Sequence, residues 1–186
     1  MIIYIHGFNS SGQSGKAREL AGIFPDEQVF APDIPWQPEL AIALLKQLIE
    51  SHRDESILLI GSSLGGYYAQ YLGDRFLLPV VLINPALKPV PLLLGSVGEQ
   101  RNYYTQEVYH LTEEAVHSLQ AYAVDAAGMK KPVLVLLDKG DELIDYRIAL
   151  EAYQGIGTVK CFDGGSHRFD HLDAVRDLLV VFHSVS

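Results

Sequence analysis

Six short apolar runs, Ile2–Ile5, Gln28–Ala31, Ser56–Ile60, Val80–Ile83, Val133–Leu137 and Thr158–Phe162, limit what this chain can fold into. Several are nearly continuous in Ile, Val and Leu. A strand of that composition has to bury both faces, as strands do inside a parallel sheet. Between the runs the apolar period becomes that of a helix. Ala17, Leu20, Ala21 and Phe24 share one face, as do Ala41, Leu44, Leu45 and Leu48 after Pro38, a residue suited to a first helical turn. Leu64, Tyr67, Tyr68, Tyr71 and Leu72 make a third stripe that Gly73 is placed to end. Leu172, Val175, Leu178, Leu179 and Phe182 make the last. The alternation predicts an α/β fold: a minimal, doubly wound, mostly parallel six-stranded sheet with helices on both faces.

The rhythm breaks once, between Ile83 and Val133, where the chain is longer than a single crossover requires. The segment opens with Pro85, Pro89 and Pro91, passes Gly95 and Gly98, and reads as a helix from about Thr112 to Val124. Two readings stand for 85–126: a lid or cap over a pocket, and a crossover helix with an overlong loop. No linker, repeat or low-complexity tract divides the rest, so residues 1–186 are expected to form one domain.

Chemistry enters with Gly61-Ser62-Ser63-Leu64-Gly65, a G-x-S-x-G pentapeptide lying between an apolar strand and a helix. That setting makes a nucleophile elbow, where a sharp turn leaves no room for a Cβ beside the serine. A helix N-terminus just beyond favours negative charge developing there. A glycine-rich turn in which Ser62 or Ser63 only caps a helix is the plainer reading, and the flanking elements count against it. A serine hydroxyl needs a base, and the base needs an orienting carboxylate, in the chain order Ser, Asp or Glu, His. Asp141 in Leu137-Asp138-Lys139-Gly140-Asp141-Glu142 and His167 in Gly164-Gly165-Ser166-His167 meet that order, each just past a strand's C-terminal end. Asp141 ranks ahead of Asp138, which is nearer the strand end, and of Asp145, which is placed to cap a helix. His171 falls inside the last helical stripe, and His52, His110, His117 and His183 read as ordinary surface or core residues.

A third element, Ile5-His6-Gly7-Phe8-Asn9-Ser10-Ser11-Gly12, follows the first strand. A His-Gly pair there matches the loop that supplies one oxyanion donor, so the backbone N–H groups of Phe8 and Leu64 are the expected oxyanion hole, with His6 shaping the loop. The loop carries neither G-x-G-x-x-G nor G-x-x-x-x-G-K-[ST], which argues against a phosphate loop.

The net charge of −9 argues against nucleic acid or anionic membrane as a partner, since both are bound through basic surfaces. Cys161, alone, allows no internal disulfide or cysteine-rich metal site and is expected to be an inert thiol in a strand. No secretory leader or membrane-length apolar run is legible, so the expected location is the cytoplasm. No metal or organic cofactor is required. The expected partner is a small acyl ester or thioester substrate, and the chain is expected to be a monomer or homodimer. Tyr103, Tyr104 and Tyr109 with Leu92–Leu94 are candidates for an apolar acyl pocket, for core packing or for a dimer face.

These residues resemble the small bacterial YqiA-like esterases of the α/β-hydrolase superfamily. The resemblance rests on His6-Gly7-Phe8-Asn9-Ser10-Ser11, Gly61-Ser62-Ser63-Leu64-Gly65-Gly66, Asn84-Pro85-Ala86, Gly140-Asp141-Glu142 through Asp145-Tyr146, and Gly164-Gly165-Ser166-His167. It implies a minimal hydrolase sheet and esterase or thioesterase activity on short acyl chains, with Ser63, Asp141 and His167 as the triad. The match is weaker between Leu87 and Lys131. The expected function is thus serine ester or thioester hydrolysis through an acyl-enzyme. The alternative is a catalytically idle hydrolase scaffold that binds a small molecule or a protein.

Overall fold

The computed structural model describes residues 1–186. The first half of the chain runs β1 (Ile2–Ile5), α1 (Gly15–Ile23), β2 (Val29–Phe30), α2 (Pro38–Ser51), β3 (Leu58–Ser62), α3 (Leu64–Phe76) and β4 (Val80–Ile83). It continues α4 (Pro89–Leu94), β5 (Gly98–Arg101), β6 (Val108–Leu111), α5 (Glu113–Ser118), β7 (Val133–Asp138), α6 (Tyr146–Tyr153), β8 (Thr158–Phe162) and α7 (Arg176–Val185). One sheet takes six strands in the order β2-β1-β3-β4-β7-β8, every neighbouring pair parallel. This is the predicted α/β sheet, and each apolar run supplies one strand of it.

Alternate residues of the strands feed two core layers, because successive side chains point to opposite faces. Ile3, Ile5, Leu59, Leu82 and Val135 pack with Leu45 and Ile49 of α2, Leu72 of α3 and Tyr153 of α6. Ile2, Tyr4, Leu58, Ile60, Val81 and Leu136 pack on the other face with Leu20 and Ile23 of α1 and Leu179 of α7. Both faces of the central strands are dry, which is why these runs carry so few polar residues.

Helix phasing differs from the sequence reading in places. α1 buries Ala17, Leu20 and Ile23 while Ala21 is exposed; α2 buries Ala41, Ile42, Leu45 and Ile49 while Leu44 is exposed. α3 does not stop at Gly73. It runs on to Phe76 and ends on Leu77 in the left-handed conformation, φ 54°. Gly73 instead admits the neighbouring strand: a Cβ there would lie 2.3 Å from Val80 Cγ1. Leu172 and Val175 precede α7, with Val175 in a separate 3₁₀ turn, Asp173–Val175.

The segment between β4 and β7 holds α4, an antiparallel β5–β6 hairpin, then α5 capped by Thr112, whose hydroxyl accepts from the Ala115 N–H at 3.1 Å. The helix expected from Thr112 to Val124 ends at Ser118 and gives way to a 3₁₀ turn over Leu119–Tyr122. The hairpin pairs with no other strand and reaches the rest of the molecule near Asn9 and Ser10. No helix is long and apolar enough to cross a membrane.

Candidate active site

Ser63 sits between the last residue of β3 and the first of α3, with φ 54° and ψ −123°. A non-glycine residue with positive φ is strained, and a strained turn of this kind persists only where the surroundings hold it. Here the Ser63 N–H donates to the Ile83 carbonyl at 3.1 Å and the Ser63 carbonyl accepts from Ala86 N–H at 3.0 Å. The flanking glycines are obligatory. A Cβ on Gly61 would lie 2.2 Å from the Gly65 carbonyl oxygen, and one on Gly65 would lie 2.0 Å from that of Ile5.

The other two expected residues converge on this serine. His167 Nε2 lies 3.0 Å from Ser63 Oγ, while His167 Nδ1 lies 2.9 Å and 3.0 Å from the two oxygens of Asp141. The Asp141 side chain is almost wholly buried, and its Oδ1 also accepts from the Leu143 and Ile144 N–H groups, each at 2.9 Å. A carboxylate facing Nδ1 holds the imidazole proton there and turns the lone pair of Nε2 toward the serine. Glu142 holds the same residue by its main chain, accepting from the His167 N–H at 2.9 Å.

Asp138, the second carboxylate weighed from sequence, faces a different histidine. It is fully buried, and its Oδ1 lies 2.6 Å from His171 Nδ1. Its Oδ2 accepts from the N–H groups of Ser166 at 3.3 Å and Asp170 at 2.8 Å, on both sides of His167. Asn84 completes the support: its Oδ1 accepts from the Asp138 N–H at 2.9 Å and its Nδ2 donates to the Ser166 carbonyl at 3.0 Å. His171, which the apolar stripe places inside the last helix, lies in the turn before the Asp173–Val175 3₁₀ turn, and no sequence pattern marks Asn84 for this support. Asn84 has φ 40°, a backbone state that Asn tolerates better than most residues. Asp145, the third choice, caps α6 by accepting from the Arg147 N–H at 3.0 Å.

The loop after β1 runs against the serine, with an added Cβ on Gly7 only 3.1 Å from Ser63 Cβ. The Phe8 N–H finds no acceptor in the protein, and Leu64 N–H, first in its helix, has none within the helix. His6 does shape this loop. Its Nε2 accepts from the Ile34 N–H at 3.1 Å, so Nδ1 carries the proton and donates to the Gly7 carbonyl at 2.8 Å. That carbonyl and the Phe8 N–H belong to one planar trans peptide, so holding the oxygen fixes where the N–H points. Burial pushes the His6 pKa down, which keeps the ring neutral and this pattern of bonds intact.

A cleft of about 650 Å³ opens beside Ser63 and His167. Tyr4, Phe8 and Ser62 line it near the serine, Lys16 and Arg168 bring positive charge, and Glu19, Asp170 and Asp173 bring negative charge. Burial pushes the Tyr4 hydroxyl up to about 12, and this neutral hydroxyl pairs with Ser62 Oγ at 2.8 Å. Burial also pushes the Lys16 ammonium below its ordinary value; its Nζ reaches only the Phe169 carbonyl, at 3.4 Å. Of the residues considered for an apolar pocket, Tyr103 and Tyr104 line this cleft. Tyr109 stacks on Trp36, centroids 4.8 Å apart, beside a separate cavity of about 40 Å³. Leu93 is buried, and Leu92 and Leu94 are exposed away from both spaces.

A family model described as an uncharacterised protein family, UPF0227, matches residues 1–183. The chain belongs to the UPF0227 family. Curated UPF0227 relatives include a protein of Shewanella sp. strain ANA-3, 27% identical over 94% of each chain. YcfP of Salmonella paratyphi A is 25% identical over 100% of this chain and 99% of its own. The resemblance to the YqiA-like group therefore stands. Among solved structures, Est1E of Butyrivibrio proteoclasticus with bound ferulic acid superposes with a TM-score of 0.77 at 16% identity, covering 98% of this chain and 89% of its own. A monoacylglycerol lipase of Paleococcus ferrophilus does so with a TM-score of 0.76 at 18% identity, covering 100% and 94%. This UPF0227 protein thus has the α/β-hydrolase fold.

Proposed function

We propose that this UPF0227 member is a serine hydrolase that cleaves carboxylic esters or thioesters of small acyl groups. The observation that carries the reading is the continuous hydrogen-bonded line from Ser63 Oγ through His167 to Asp141, at 3.0 Å and 2.9 Å. In the proposed reaction His167 Nε2 takes the Ser63 proton as Oγ attacks the acyl carbonyl, while Asp141 stabilises the imidazolium. The Phe8 and Leu64 N–H groups receive the oxyanion. The carbonyl–oxygen or carbonyl–sulfur bond then breaks, and the leaving group departs with the proton from His167. Water, deprotonated by the same histidine, attacks the acyl-serine, frees the acid and returns the proton to Ser63. The hydroxyl and charged side chains that line much of the cleft favour short acyl groups over long apolar ones, which would have to bury those polar groups unpaired.

The test is hydrolysis of p-nitrophenyl esters from acetate to decanoate, and of the matching thioesters, by the wild type and by Ser63→Ala. Wild-type turnover that peaks at short chains and falls by roughly 10⁶ in the variant is expected. Equal rates in the two proteins would overturn the assignment of Ser63. A wild type that hydrolyses no ester or thioester and resists an alkylphosphonate label would favour the idle binding scaffold.

A further inference from the structure

We propose that the β5–β6 hairpin is a fixed part of the oxyanion apparatus, and that Asn9 is the positioning residue through which it holds the Phe8 N–H in place. The proposal rests on the catalytic reading of Ser63 and its partners given above.

Asn9 directly follows Phe8, is nearly buried, and has φ 54°. Asn accepts that left-handed conformation at small cost, and its amide presents a donor and an acceptor on one short arm. Both are used on the hairpin. Asn9 Nδ2 donates to Gln100 Oε1 at 3.1 Å, and the Tyr109 hydroxyl donates to Asn9 Oδ1. The main chain is held as well: the Asn9 carbonyl accepts from the Tyr103 N–H at 3.1 Å, and the Ser10 carbonyl accepts from Asn102 Nδ2 at 2.8 Å.

The partners are themselves constrained. Gln100 Nε2 donates to the Ser96 carbonyl at 2.6 Å, which leaves its Oε1 to face Asn9. The Tyr109 ring lies flat on Trp36, with ring planes 13° apart, which aims its hydroxyl. A two-stranded ribbon that pairs with no other sheet is weak alone. Here it spends its hydrogen bonds on the loop that carries an oxyanion donor. His6 holds the Gly7–Phe8 peptide from before, through the Gly7 carbonyl at 2.8 Å, and Asn9 holds the chain immediately after it. An N–H pinned on both sides needs no reorganisation when charge develops, and that is the condition under which such a donor is most effective. The hairpin is therefore a clamp and not a lid that lifts to admit substrate.

Tyr109→Phe, Asn9→Gly and Asn9→Asp test this on a p-nitrophenyl ester, with Ser63→Ala alongside and thermal unfolding to verify each fold. Tyr109→Phe removes one hydroxyl and keeps the stacked ring; Asn9→Gly keeps the positive φ and removes both amide bonds. Each is expected to lower kcat about tenfold or more, a part of the 10²–10³ that losing a whole oxyanion donor costs, with KM unchanged. Asn9→Asp keeps the acceptor for Tyr109 but sets a carboxylate oxygen against Gln100 Oε1 and a negative charge beside the oxyanion donor, so it is expected to lose at least as much kcat as Asn9→Gly. The double variant Asn9→Gly with Tyr109→Phe should lose little more than Asn9→Gly alone, because both cut one connection. Folded variants with wild-type kcat would overturn the clamp, as would a rise in KM alone, which would make the hairpin a substrate wall. Loss of activity in Ser63→Ala with none in the Asn9 and Tyr109 variants refutes the clamp alone. Retained activity in Ser63→Ala refutes the catalytic reading.

Discussion

Asp141→Asn changes one oxygen to an amide without changing shape, and the surroundings decide which oxygen survives. Oδ1 accepts from two backbone N–H groups, Leu143 and Ile144, each at 2.9 Å. An amide nitrogen cannot take that place, so Asn Nδ2 must occupy the Oδ2 position, 2.9 Å from His167 Nδ1. A donor then faces Nδ1 at 2.9 Å, and the one acceptor left near it, Oδ1 at 3.0 Å, has lost its charge and already takes two backbone N–H groups. The imidazole proton moves to Nε2, which points it at Ser63 Oγ, 3.0 Å away. His167 can donate to the serine in that state but cannot take its proton. The penalty for a triad histidine in the wrong tautomer is about 10⁴ in kcat, or about 5.5 kcal/mol of transition-state stabilisation. KM and the unfolding midpoint should barely move, because both backbone bonds survive. Steady-state turnover of p-nitrophenyl acetate, the rate of alkylphosphonate labelling and thermal unfolding measure the three quantities together. Asp138→Asn is the control. Its Oδ2 can keep the Ser166 and Asp170 N–H groups, and the His171 ring is exposed enough to move its proton to the solvent-facing nitrogen. That variant should lose about 1–3 kcal/mol of stability, a midpoint fall of roughly 2–12 °C, and far less of its kcat. A larger loss of kcat in Asp138→Asn than in Asp141→Asn would refute the reasoning.

Other expectations follow from the same contacts. His6 is held below the ordinary histidine value of 6.5 by burial; the unfolded chain therefore binds the proton first, and stability present above pH 6.5 is lost as pH falls toward the lower folded value. Urea midpoints between pH 7.5 and 5 should fall more steeply for the wild type than for His6→Asn, and equal slopes would remove His6 as the cause. In Gly165→Ala the new Cβ would lie 1.9 Å from Asp138 Oδ2, at a backbone φ of 73°. The loop must shift, so both the unfolding midpoint and the turnover of the folded fraction should drop. An unchanged turnover would show that His167 does not depend on this crossing.

The sheet was legible because a strand buried on both faces has to be written in Ile, Val and Leu, and few other structures demand that. Helix phase was less so. Ile42 and Leu44 offer α2 two apolar stripes, and only packing against the strands selects the one with Ile42 and Ile49. The hairpin left no trace at all. Gly98-Glu99-Gln100-Arg101 has no apolar face, and its partner strand sends only Leu111 and the stacked Tyr109 ring inward; the rest of what holds the hairpin is the amide and hydroxyl bonding of Asn9, Gln100, Asn102 and Tyr109, which follows no period. Ser63 and His167 stood out because glycine-rich turns at strand ends mark where side chains can meet over a parallel sheet. The carboxylate was harder for a specific reason. Asp138 and Asp141 lie three residues apart at one strand end, His167 and His171 lie four apart beyond the next, and the two pairs bond in the same way. Depth separates them. Asp138 is the last residue of β7 and is roofed by Gly165, whose missing Cβ lets the loop cross directly over its carboxylate. Gly140 lets the chain pass beneath the same loop, since a Cβ there would lie 2.5 Å from the Gly165 carbonyl oxygen. Asp141 consequently emerges on the serine's side. Of two equivalent acid–base pairs, one is near enough to Ser63 to exchange its proton, and the other lies beneath the loop that keeps it there.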